Sequence, residues 1–137
     1  MPKRILIIEP SRTIRTLLTI YFQRAGHLTI ALPDYTTARQ VIPTFRDEPP
    51  NMAFVAVHPT QMQSYRVLGH LRRLRVRVGT TIVALVSQDE STNIQLRFTL
   101  QMVGAVTLLK PFHTQDAMAL VAPPMLGKDT LREAMQM

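Results

Sequence analysis

Five short apolar runs recur along the chain at fairly even spacing: ILII at 5–8, LTIAL at 28–32, MAFVAV at 52–57, TIVALV at 81–86 and AVTLL at 105–109. Several are nearly continuous and rich in Val and Ile, the pattern of strands buried on both faces, as in a parallel sheet. The segments between them show helical periodicity. Alternating strands and helices build βαβ units, which imply a parallel sheet with right-handed crossovers. A chain of 137 residues holds five strands and five helices in one domain.

The first helical segment carries Ile14, Leu17, Leu18, Tyr21 and Phe22 as one apolar stripe, with Ser11 as N-cap and Gly26 as its stop. Arg12, Arg15 and Arg24 lie off the stripe and are expected in solvent. The second, around 35–45, offers Ala38, Val41, Ile42 and Phe45, with Pro43 kinking or ending it. The third, from Gln63 to Arg75, turns Val67, Leu68, Leu71 and Leu74 inward. The fourth starts near Ser91, is expected to turn Ile94, Phe98 and Met102 inward, and closes at Gly104. The fifth starts near Thr114 and is cut short by Pro123 and Pro124. The apolar stripes, including the eight Met residues, are read as core.

Composition narrows the function. There is no Cys, so disulfides, thiolate metal sites and thiol nucleophiles are excluded. The apolar run after MPKR is stopped by Glu9, too soon for a signal-peptide core, and nothing approaches the ~18 apolar residues of a membrane helix. A cytoplasmic protein without membrane contact is expected. The formal charge is +7, an argument about partners and not about fold. Much of it sits in the third helix, where Arg66, Arg72, Arg73, Arg75 and Arg77 follow without an intervening acid. A solvated helix end is the plain reading; contact with an acidic protein or with nucleic acid is the functional one.

Three stretches together carry a family resemblance: KRILIIEPS at 3–11, NMAFVAVHP at 51–59 and LLKPF at 108–112. They resemble the first, third and fifth strands of response-regulator receiver domains, the CheY-like fold, with the VGA of 103–105 where that family has Gly-Ala. The resemblance implies a flavodoxin-like doubly wound sheet of five parallel strands in the order 2-1-3-4-5, helices on both faces, and a site at the strands' carboxyl ends. It implies a receiver-like domain over 1–122 and a C-terminal tail over 123–137, in which KDTLREAM could add a short helix. The family's chemistry is phosphoryl transfer from a histidine kinase to an Asp beside Mg²⁺. A hydroxyl residue and a Lys respond to the phosphate.

Carried over residue by residue, that chemistry is incomplete. The first acidic position falls on Glu9, the second on Pro10, the phosphoacceptor on Ala56 and the hydroxyl on Val86; a slip of one brings Ser87 to the hydroxyl position. The Lys falls on Lys110, and the aromatic switch position on Thr107 or Leu108. Mg²⁺ usually takes one or two carboxylates plus waters and phosphate, and in-line transfer needs a nucleophile with a lone pair. A methyl group supplies neither, and no carboxylate lies between Glu48 and Asp89 to be brought in by realignment. His58 is read as a loop residue at a strand end, and not as a ligand. Glu9, costly to bury alone, is expected on Lys110.

The sequence therefore reads as a degenerate receiver, with no catalytic residue, metal or cofactor expected. It would act as an interaction module for a signalling partner, with a homodimer through the fourth and fifth helices as the resemblance allows. An enzyme or nucleotide binder ranks last, because no Gly-rich phosphate loop and no acid–base pair are visible.

Overall fold

The computed structural model describes residues 2–121. Five strands, β1 (Arg4–Ile8), β2 (Leu28–Leu32), β3 (Met52–Ala56), β4 (Thr81–Ser87) and β5 (Val106–Lys110), alternate with five helices. These are α1 (Arg12–Arg24), α2 (Tyr35–Val41), α3 (Met62–Val78), α4 (Ile94–Val103) and α5 (Thr114–Val121). Short 3-10 turns follow α2 at Ile42–Thr44 and precede α4 at Glu90–Thr92. All pairings are parallel, as the alternation predicts, and the strand order is β2-β1-β3-β4-β5, as the family resemblance implies. The tail expected over 123–137 lies outside the described residues.

Alternation along each strand divides the core in two. Leu6, Ile8, Ala53, Val55, Ile82, Ala84 and Val86 face α2, α3 and α4. Ile5, Ile7, Met52, Phe54, Val83 and Leu85 face α1 and α5. On the second side Phe22 of α1 tilts against Phe54, with ring centroids 5.0 Å apart. The three middle strands are buried on both faces, whereas β2 and β5 are edges that leave Leu28, Ile30, Val106 and Leu109 partly in solvent.

Helix ends follow their local chemistry. The Ser11 hydroxyl accepts from Ile14 N, the Asp34 carboxylate from Thr37 N and the Asn93 amide oxygen from Leu96 N. Gly79 and Gly104 close α3 and α4 at φ +80° and +72°, where any side chain would be strained. Pro43 sits in the 3-10 turn that ends α2, as predicted.

Two expectations fail. In α4 the inward residues are Leu96, Leu100 and Val103, while Ile94, Phe98 and Met102 are 83%, 64% and 54% exposed. The helix is apolar on two sides, and both sets fit helical spacing. Its N-cap is Asn93, directly after the 3-10 turn Glu90–Thr92 and close to the expected start near Ser91. In α1 only Leu18 and Phe22 are fully buried; Leu17 and Tyr21 are half-exposed. The Met residues are likewise divided: Met52 is core, but Met62 and Met102 are exposed.

The corrected facing of α4 has a measurable consequence. Leu96→Ala should cost about 2–5 kcal/mol by urea unfolding, through the lost methylenes and the cavity left behind. Ile94→Ala should change stability by no more than about 0.5 kcal/mol.

Candidate functional site

The carboxyl ends of β1, β3, β4 and β5 converge on one small polar cluster. Glu9 directly follows β1 and extends its ladder, its N–H donating to the Leu32 carbonyl at 3.1 Å. Its side chain is 1% exposed. There it forms an ion pair with the Lys110 ammonium, as the sequence predicts, and its other carboxylate oxygen accepts from Ser11 N at 3.2 Å. Pro10 fills the turn between Glu9 and the N-cap and is exposed. Arg15, expected wholly in solvent, instead returns from α1 and donates to the Glu9 carbonyl at 2.8 Å.

The pair reaches across the sheet. In the order β1-β3-β4-β5, Glu9 and Lys110 belong to strands three spacings apart, about 14 Å. Two long side chains cover that distance by crossing the ends of β3 and β4. Ala56 ends β3 and is wholly buried, and its strand parity, shared with Met52 and Phe54, turns its methyl to the α1–α5 side. Its carbonyl accepts from the Tyr35 hydroxyl at 2.6 Å, which fastens the start of α2 to this strand end. Burial first, then the charges of Glu9 and Glu90, push the Tyr35 phenol above its ordinary value near 10.

The strand register sets Val86 and Ser87 on opposite faces of the sheet. Lys110 pairs with Ser87, while Val86 pairs with Leu109 and lies buried on the opposite face. Ser87 does not point at an empty site. Its hydroxyl donates to Glu90 Oε1 at 2.8 Å, and the same oxygen lies 3.3 Å from His58 Nδ1. His58 thus has an acidic neighbour that the sequence did not reveal, because Glu90 is far away in the chain and enters only through the turn after β4. The Ser64 hydroxyl, fully buried, accepts from His58 N and lies 3.0 Å from the His58 carbonyl, closing the loop between β3 and α3.

The sequence residues therefore divide by place. Glu9, Ala56, Ser87 and Lys110 belong to the strand-end cluster; Pro10 stands at its rim, and Val86 faces away from it. Thr107 and Leu108 lie along β5. Tyr35, His58, Ser64 and Glu90 complete the cluster. Arg66, Arg72, Arg73, Arg75 and Arg77 are all exposed on α3, apart from this cluster. Among the described residues no helix is long and apolar enough to cross a membrane.

Removing either half of the buried pair leaves the other without its counter-charge. Lys110→Met should destabilise the fold by about 3–5 kcal/mol, and the double variant Glu9→Gln/Lys110→Met should recover most of the loss in urea unfolding. The raised Tyr35 phenol gives a pH test. Its contribution is complete below the ordinary phenol value and declines as pH rises through the higher folded value. Tyr35→Phe should flatten the alkaline limb of the stability–pH curve.

No protein-family profile and no curated protein matches this chain. Solved structures do. The chain resembles a response regulator receiver domain protein (CheY-like) from Methanospirillum hungatei JF-1, with TM-score 0.71 and 17% identity over 99% of this chain and 98% of that one. It resembles the signal receiver domain of a Luxo repressor protein from Vibrio parahaemolyticus, with TM-score 0.68 and 18% identity over 100% and 99% of the two chains. It also resembles an adenylate cyclase from Rhodopirellula baltica, with TM-score 0.71 and 14% identity over 99% and 96%. The strand order, the helices on both faces and these likenesses agree: the chain has the CheY-like, flavodoxin-type fold of response-regulator receiver domains.

Proposed function

We propose that this chain is a pseudo-receiver of two-component or phosphorelay signalling, a cytoplasmic module that binds a partner protein without being phosphorylated. The observation that carries the reading is Ala56. It ends β3 between Glu9 and Lys110, where the resemblance calls for the phosphoacceptor, and its methyl has no lone pair to attack phosphorus. Around it both carboxylates are already engaged. Glu9 is held by Lys110 and Ser11 N, and Glu90 by Ser87 and His58. A Mg²⁺ entering here would have to take Glu9 from Lys110, with Pro10 contributing no second carboxylate.

Switching such a domain from 1:99 to 99:1 takes about 5.5 kcal/mol of differential binding. Ala56 offers phosphate no covalent anchor from which to supply it. The conformation is then set by the partner's own contacts. Treating the protein with acetyl phosphate and Mg²⁺ should leave its intact mass unchanged, and beryllofluoride should leave its amide NMR spectrum unchanged. A covalent phosphate, or a saturable spectral change centred on Glu9 and Lys110, would refute the reading.

We also infer self-association through α4 and α5. Its support is the row Ile94, Phe98 and Met102, which is apolar and exposed along the outer side of α4. Isolated surface apolar residues need no explanation, but a row along one helix does. Phe98→Glu should shift the sedimentation profile to monomer while leaving the unfolding midpoint nearly unchanged. A wild-type chain that is already monomeric at high concentration would discard the dimer.

A further inference from the structure

The outer side of α3 carries a dense cluster of positive charge. Arg66, Arg73 and Arg77 recur at i, i+7 and i+11, with Arg72 beside them, and all are exposed. The helix has no acidic residue over Met62–Val78, and neither does α2, which contributes Arg39 to the same side. Among the described residues Glu9 pairs with Lys110 and Glu90 lies against His58, and no carboxylate of these residues lies within ion-pair distance of the arginines. Asp47 and Glu48 line a different groove, with Arg4 and Pro50. His70 reports the crowding. Burial, then the Arg73 and Arg39 charges, hold its imidazole below the ordinary value.

The surface is shaped as well as charged. A groove of about 420 Å³ runs between α3 and the 3-10 turn that follows α2, with Ile42, Pro43 and Leu74 as apolar lining and His70, Arg73 and Arg77 along its side. Arg77 is held in place by donating to the Phe45 carbonyl at 2.9 Å. Beyond the ridge of Arg73 and Arg77 lies a second hollow over Gly69 and Val76. Val76 is 79% exposed, and a Cβ built on Gly69 would meet nothing within 4 Å. Apolar hollows thus flank a guanidinium ridge.

We propose that the α2–α3 face binds an acidic polypeptide segment, its carboxylates on Arg72, Arg73 and Arg77 and an apolar side chain in the Ile42–Pro43–Leu74 groove. This deepens the pseudo-receiver reading by naming the chemistry of the partner, and rests on it only for the role of the contact. Guanidinium forks match carboxylates in bidentate geometry. They match phosphates equally well, but the apolar groove has no use for a sugar–phosphate backbone. The face also lacks a stacking platform for bases. The aromatic residue of α3, Tyr65, packs against the core instead.

The test uses the full chain and a fluorescent synthetic peptide of repeating Leu-Glu-Glu, read by anisotropy at low salt. Single-stranded and duplex DNA of matched charge, and the peptide with Ser in place of Leu, are run beside it. Arg72→Gln/Arg73→Gln should weaken peptide binding by about tenfold or more. Val76→Glu, which places a carboxylate beside the ridge at an exposed position, should do the same while circular dichroism shows an intact fold. Arg12→Gln/Arg24→Gln, which removes equal charge from α1, should leave binding near wild type. Replacing Leu by Ser in the peptide should weaken it. Equal losses from the α1 and α3 variants would reduce the effect to net charge and overturn the proposal. DNA binding as tight as the peptide, or no preference for Leu over Ser, would overturn it too. Phosphate uptake from acetyl phosphate with this pattern intact would instead refute phosphorylation independence and leave the surface standing.

Discussion

The fold depends on three strands that have no wet side. β1, β3 and β4 are buried on both faces, so each must be covered twice, and a single layer of helices would leave half of their side chains in water. Burying apolar side chains is favourable by about 1.5–3 kcal/mol each, which makes the two-layer arrangement compulsory for a chain of this pattern. It also leaves the polar groups little choice of position. Away from the helix surfaces and the sheet edges they collect at the strand ends, and it is there that Glu9 meets Lys110 and Ser87 meets Glu90.

How far this was readable depends on whether a residue's partners lie near it in the chain. The parallel sheet is legible in the apolar runs, because a run such as TIVALV has few ways to avoid being a central strand, whereas the strand order came only with the family resemblance. Ser11 and Pro43 declared themselves through local chemistry, and both lie where the sequence puts them. The inner side of α4 was not readable. Ile94–Phe98–Met102 and Leu96–Leu100–Val103 are equally periodic, and only the packing of the neighbouring strands and α3 selects one of them.

The strand-end cluster divides along the same line. The Glu9–Lys110 pair is legible from energetics, since a buried carboxylate requires a counter-charge. Val86 and Ser87 differ by one residue, and because a shift of one exchanges the faces, only the register shows which of them pairs with Lys110. Tyr35 and Glu90 gave no signal. Their roles arise from where two loops bring them, and a Tyr at a helix start or a Glu in a turn is ordinary by itself. The absence of an acid from β3 was legible because it holds in any register.

The Glu9–Lys110 pair joins the first strand of the fold to the last. During synthesis from the N-terminus, β1 is available to the sheet well before Lys110 exists. A nascent chain that has packed its first four strands therefore holds a carboxylate in a site made for a salt bridge, with no cation yet to meet it. Uncompensated buried charge costs several kcal/mol, comparable to the whole stability of a small domain. The last strand thus carries the counter-charge on which a buried group at the end of the first depends.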